Sequence, residues 1–201
     1  MPENNLQSLK KNERDSRRKL ILGAALTLFA IKDFRSVTVR EIAKQAGVSI
    51  GTIYNYYPNL TELFLGVFLK YTQEMTRLLD DMHKDCPPSL ENLCIFYITY
   101  LNKNMTFYQM MSHFMLGGDM SAQATQKLDE NMTQLMNHLE NAVQRAGTTD
   151  DSRLTAHALF SALNGIMISY ARYPGRTDDE IRRHTLRLAG IIAGIFSQNL
   201  K

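Results

Sequence analysis

The sequence predicts an all-α protein, and three observations carry that prediction. Apolar residues recur at spacings of three and four along most of the chain, no segment alternates with the period of two that a half-buried strand needs, and Pro or Gly residues punctuate the helical stretches. With 201 residues and 44% hydrophobic content, there is ample material for a buried core in one or two domains.

The first helix is expected over residues 16–31, where Leu20, Ile21, Ala24, Ala25, Leu28 and Phe29 make one apolar face. Next comes VTVREIAKQAGVSIGTIYNYY, residues 37–57. Thr38 followed three residues later by Glu41 is a capping box: the hydroxyl accepts from the backbone N–H of Glu41, and the carboxylate accepts from that of Thr38. A helix therefore begins near Val39, buries Val39, Ile42, Ala43 and Ala46, and stops at Gly47, where a left-handed residue is needed. Ser49 is a suitable N-cap for a third helix, in which Ile53 and Tyr57 share one face while Ile50, Thr52, Asn55 and Tyr56 point elsewhere. So short a helix buries little, and most of its side chains are left for a partner. The three helices close one small core, and the turn between the second and third reads as a helix-turn-helix.

The remainder continues helical: residues 60–84, a break at Pro87 and Pro88, 90–103, 105–116, a turn at Gly117 and Gly118, 122–146, a stop at Gly147, 153–173, a turn at Pro174 and Gly175, and 178–199. Asn59 with Glu62 and Thr177 with Glu180 repeat the capping-box spacing.

Charge is distributed unevenly. Residues 1–57 hold ten Lys or Arg against five Asp or Glu, whereas the rest is slightly acidic within a total of +3. Lys10, Lys11, Arg14, Arg17, Arg18 and Lys19 form a basic run suited to salt-dependent phosphate contact. Such a run also occurs as a solvated leader; its place beside the two short helices turns it toward DNA.

Residues 18–67, with RKLILGAALTLF, the 37–57 motif and NLTELF, resemble the N-terminal DNA-binding domain of the TetR family of bacterial transcriptional regulators. The resemblance implies a reading domain over 14–75 and a helical effector-binding and dimerisation domain over 76–201. It implies that the second helix braces while the third enters the major groove of double-stranded operator DNA. Carried over by position, Thr38 and Arg40 stand at the start of the bracing helix, with Arg40 reaching a base edge or phosphate. Ser49, Ile50, Gly51, Thr52, Tyr54, Asn55 and Tyr56 form the reading surface: Thr52 and Tyr54 meet a thymine methyl and the backbone, Gly51 allows close approach, and Tyr56 donates to a phosphate. Tyr57, where the family usually has Phe, is expected in the core. Where the family often has a phosphate-binding Lys, this chain has Leu60, which implies weaker backbone anchoring.

The last two helices are rich in small residues. Ala158, Ser161, Ala162, Gly165 and Ser169 line one face of the first; Ala189, Gly190, Ala193 and Gly194 interrupt Leu188, Ile191, Ile192, Ile195 and Phe196 in the second. The apolar run LAGIIAGIF is far short of the ~20 residues a membrane span needs. Pairing with a second copy through Ala158, Ala162, Gly165, Ser169, Leu188, Ile191, Ile192 and Ile195 explains these faces, as does an intramolecular core; the resemblance favours the homodimer.

Seven of the eleven Met residues fall between 105 and 136, among aromatic residues. Tyr97, Tyr100, Met110, Met111, Phe114, Met115, Met136 and, further on, Met167 are candidates to line a pocket for a hydrophobic small-molecule effector, because thioether chains adapt to varied apolar partners. Such a stripe is more often part of an ordinary core, and the resemblance weights the choice toward a pocket. Lys103 is the sole charge between Phe96 and Leu116, which disfavours a strongly anionic effector.

Enzymatic chemistry finds no footing. Cys86 and Cys94 lack metal or redox spacing, His83, His113, His138, His157 and His184 are scattered, and no phosphate loop or nucleophile signature occurs. No cofactor and no metal are expected, and the absence of a secretory or membrane segment points to the cytoplasm. The other readings are an effector-independent architectural DNA-binding protein with a filled core, and a ligand-binding protein whose head has lost operator affinity.

Overall fold

The computed structural model describes residues 3–84, 87–116, 121–147 and 151–199, and every α-helix predicted from the sequence forms. Among the described residues the order is α1 (Glu3–Phe29), a short 3-10 turn (Phe34–Ser36), α2 (Val39–Ala46), α3 (Ile50–Tyr56), α4 (Leu60–His83), α5 (Leu90–Lys103), α6 (Met105–Met115), α7 (Ala122–Ala146), α8 (Ser152–Tyr170) and α9 (Asp178–Asn199), with no strand. The Gly117–Gly118 turn, Met120 and Cys86 lie outside the described residues.

Two compact units arise. The first gathers residues up to Lys70 with Gln109–Thr125; the second comprises Tyr71–Tyr108 and residues from Gln126 on. The core of the first unit is aliphatic along α1, α2, α3 and the start of α4, with Ile21, Ala25, Ile42, Ile53 and Val67 at most 1% exposed. It is aromatic beyond: the ring of Phe34 lies 6.3 Å from Phe29, 5.3 Å from Phe64 and 5.8 Å from His113, and Phe68 stands 5.5 Å from Phe114. These are edge-to-face approaches, the arrangement the ring quadrupoles favour.

Two expectations for α1 need correction. It begins at Glu3 rather than near residue 16, and Leu20, expected on the buried face, is 50% exposed. The helix turns Ile21, Ala24, Ala25 and Phe29 inward, and a residue one position before Ile21 is rotated out of that stripe. At the far end of the chain, α8 stops at Tyr170, three residues earlier than its periodicity suggests.

In the second unit α5 packs on α9 and α8, and α8 on α9. Polar side chains tie this apolar packing: Tyr97 Oη donates to Asn164 Oδ1 (3.3 Å), joining α5 to α8, and Asn102 Nδ2 donates to the buried Thr185 Oγ1 (3.0 Å), joining α5 to α9. Each pairing satisfies groups that would cost free energy if buried alone. Burial pushes the Cys94 thiol up to about 12, so it stays a protonated core residue.

Candidate nucleic-acid interface

The two short helices of the first unit are built by their caps. Thr38 closes a full capping box with Glu41: its backbone N–H donates to Glu41 Oε2 (2.9 Å) and its hydroxyl accepts from Glu41 N (3.3 Å). Lys32, three residues past the end of α1, donates to Glu41 Oε1. The Lys32 ammonium first, and then the backbone and hydroxyl of Thr38, hold the Glu41 carboxyl down from its ordinary 4.5 to about 2. A depressed carboxyl stabilises the fold above its unfolded value, and that contribution disappears as pH falls toward the folded one. Glu41→Gln should therefore lower the melting temperature at neutral pH, and its difference from wild type should close between pH 4.5 and about 2. A difference that persists unchanged at the acid end would remove Glu41 from this role.

α2 ends at Gly47 with φ +66° and ψ 31°, the left-handed conformation that glycine adopts without a Cβ penalty. Ser49 then caps α3 by accepting from Thr52 N (3.0 Å), and the two hydroxyls lie 2.9 Å apart. Ile53 (1% exposed) and Tyr57 (4%) anchor α3 to the core, each burial worth roughly 1.5–3 kcal/mol. The opposite side is left bare: Ile50, Gly51, Tyr54 and Asn55 are exposed, and Thr52 and Tyr56 are half-buried. Thr38 and Arg40 are exposed at the start of α2. A Cβ at Gly51 would meet only Ser49 Oγ, at 3.7 Å, so internal packing does not require a glycine there.

Three features of this surface are not legible in the sequence. The Arg18 guanidinium carbon lies 5.5 Å over the ring of Tyr57, a cation–π approach that fixes one charge of the basic run beside α3. Burial pushes the Tyr57 phenol up, partly offset by a hydrogen bond from Arg18. Gly66 of α4 makes room for the same ring, because a Cβ there would stand 3.0 Å from Tyr57 Cε1 and 3.3 Å from Leu22 Cδ2. The side chains of Lys11, Arg14, Arg17 and Lys19 are exposed, with Arg17 paired to Glu13 at 2.8 Å; the side chain of Lys10 lies outside the described residues. At the start of α4, Asn59 Oδ1 accepts from Glu62 N (2.8 Å), but Glu62 Oε1 accepts from Ser121 Oγ (2.6 Å), where the spacing predicts that it reaches back to its cap.

The residues expected to line a pocket fall in both units. Met110, Met111 and Phe114 are buried in the first, at most 3% exposed, and Met115 is 54% exposed at the end of α6. Tyr97, Tyr100, Met136 and Met167 are buried in the second. Tyr100 Oη donates to the carbonyl of Tyr71 (2.8 Å).

On α8, Ala158, Gly165 and Ser169 are exposed and Ala162 is half-buried; on α9, Ile191 and Ile195 are exposed and Leu188 and Ile192 half-buried. Two large apolar residues join them unforeseen, Leu154 (65% exposed) and Ile168 (74%). Leu154, Ala158, Ser161, Gly165 and Ile168 then alternate steps of four and three along α8, the spacing of a helix-pairing seam.

Among the described residues no cluster of His, Cys, Asp or Glu is placed to hold a metal ion, and no helix is long and apolar enough to cross a membrane.

Residues 21–67 match the family described as bacterial regulatory proteins, tetR family. Over 170 residues the chain is 24% identical to YhgD, an HTH-type transcriptional regulator of Bacillus subtilis, covering 82% of this chain and 89% of that one. It is 34% identical to the HTH-type transcriptional repressor KstR of Rhodococcus jostii over 62 residues, 31% of this chain and 29% of that one. Among solved structures, FadR of Bacillus subtilis, in complex with stearoyl-CoA, superposes with a TM-score of 0.71 at 17% identity, covering 91% of this chain and 99% of that one.

Proposed function

We propose that this chain, whose helix-turn-helix head matches the tetR family of bacterial regulatory proteins over residues 21–67, is a TetR-type cytoplasmic homodimeric repressor released from a palindromic operator by an apolar small molecule. One observation carries the proposal: α3 is anchored by Ile53 and Tyr57 and leaves Ile50, Gly51, Tyr54 and Asn55 free to meet a major groove. In this reading the bare backbone at Gly51 lets α3 approach the bases, Thr52 and Tyr54 meet base edges and backbone, Tyr56 donates to a phosphate, and Thr38 and Arg40 hold α2 across the backbone. Arg18, seated on Tyr57, supplies phosphate attraction where Leu60 supplies none.

Binding titrated against salt, on operator and random duplexes in parallel, tests these assignments. Tyr56→Phe should weaken both duplexes alike, whereas Thr52→Ala should cost roughly 1 kcal/mol on operator and little on random DNA. If both variants alter sequence preference equally, the roles are wrong. If wild type shows no preference for any sequence, the architectural reading replaces the repressor.

The exposed seam on α8 and the isoleucines of α9 support dimerisation through an intermolecular four-helix bundle, which would present two reading helices with two-fold symmetry. The effector is proposed to be apolar and to lie among the Met and aromatic residues buried in the second unit, Tyr97, Tyr100, Met136 and Met167. FadR, described with stearoyl-CoA, makes an acyl chain the first class to try. α4 is one continuous helix whose residues up to Lys70 belong to the head unit and the rest to the other, so a ligand that biases α4 would also bias the head. Coupling of this kind is reciprocal, and operator should weaken effector binding by the same factor, typically about 5- to 150-fold.

A further inference from the structure

A cleft of about 460 Å³ opens in the second unit where the end of α8 meets the first turns of α9, and no role in DNA reading or dimerisation uses it. Its walls are aromatic. The rings of Tyr170 and Tyr173 stack at 5.6 Å and 20°, and His184 meets Tyr170 edge-on at 4.6 Å. Ile181 is buried at the base, while Tyr173 is 48% exposed and His184 is exposed at the mouth.

The same cleft holds three guanidiniums and one carboxylate. That carboxylate is already engaged: Glu180 Oε2 accepts from the backbone N–H and hydroxyl of Thr177 at 2.8 and 3.1 Å, and Glu180 Oε1 pairs with Arg176 at 3.6 Å. Arg183 and Arg187 follow one turn apart on α9, both exposed, and no salt bridge or hydrogen bond joins either guanidinium to another described residue, although the Arg183 charge adds to those that hold the Glu180 carboxyl down. Like charges so spaced on a helix repel one another. Two forks with no carboxylate in salt-bridge contact, set beside an aromatic wall, fit an anion attached to a planar ring, since guanidinium pairs bidentately with phosphate and aromatic faces stack on rings. The volume lies in the range of small-molecule sites, about 300–1,000 Å³.

We propose that this cleft is a binding site for a nucleoside phosphate, the ring stacking on Tyr173 and the phosphates held by Arg183 and Arg187. The site is separate from the apolar effector reading and does not depend on it.

Calorimetric titration of the full-length protein with ADP, adenosine and pyrophosphate tests it. ADP should bind with a Kd below about 1 mM, and adenosine and pyrophosphate each at least about tenfold more weakly, because each engages only half of the cleft. Replacing both arginines (Arg183→Ala with Arg187→Ala) should weaken ADP about tenfold or more and flatten its salt dependence. Arg183→Lys with Arg187→Lys should restore only part of the affinity, because lysine keeps the charge without the fork. Tyr173→Leu should weaken ADP and leave pyrophosphate unchanged. The proposal is overturned if ADP gives no binding, if pyrophosphate binds as tightly as ADP, or if ADP affinity is indifferent to the arginine pair in variants whose melting temperatures match wild type.

Discussion

Replacing Ile191 and Ile195 together by Asp is expected to leave a folded monomer that binds operator about a hundred- to ten-thousandfold more weakly than wild type. That is the range lost when two linked sites act singly. Both side chains are about half exposed on α9, at 56% and 48%, so the change leaves the core of the second unit intact. In an intermolecular bundle it would place four carboxylates at the seam, where unpaired charges are strongly unfavourable. Sedimentation at micromolar concentration reads the oligomeric state, circular dichroism the fold, and a mobility shift the affinity. Operator affinity would fall with dimerisation, while binding to random DNA, which a single head supplies, would fall much less. A variant that stays dimeric and binds operator normally would move the interface away from α8 and α9.

Phe34→Ala is expected to destabilise the head by about 3 to 5 kcal/mol, the cost of deleting a buried phenyl ring and leaving its cavity. Phe34 is 2% exposed and touches rings from α1, α4 and α6 through Phe29, Phe64 and His113. A loss of that size is a large share of the ~5–15 kcal/mol that holds a domain folded. Operator binding should fail at temperatures where the second unit keeps its helicity. Phe34→Leu, which refills most of the space, should cost much less. Denaturant unfolding followed by near-ultraviolet dichroism measures both. An Ala variant within about 1 kcal/mol of wild type would show that the aromatic cluster does not hold the head together.

What the sequence disclosed and what it withheld divide along a physical line. The boxes at Thr38 with Glu41 and Thr177 with Glu180, the left-handed Gly47 and the cap at Ser49 are interactions between residues a few positions apart, so their spacing contains the geometry. Ile53 and Tyr57 were legible as buried for the same reason. Nothing local marks Gln109–Thr125 as companions of the head. His113 reaches Phe34, Phe114 reaches Phe68 and Ser121 reaches Glu62 across gaps of roughly fifty residues or more. Such pairings are set by the packing of whole helices and have no signature in spacing. Leu20 misleads for a related reason: hydrophobicity shows what can be buried, while helix phase against neighbours decides what is. The seam on α8 was half visible through its small residues, but Leu154 and Ile168 became candidates only once their exposure was known. The extension of α1 back to Glu3 was hidden because residues 3–15 have no apolar periodicity.

Selection of bound duplexes from a random pool, followed by sequencing, reads the symmetry of the preferred DNA site without requiring the operator to be identified first. A two-fold dimer reading DNA through α3 predicts enrichment of an inverted repeat. Its half-sites should carry equal information, and the enrichment should vanish for the Ile191→Asp, Ile195→Asp variant. Recovery of unenriched sequence, or of a single asymmetric half-site that the variant selects equally well, would contradict the account.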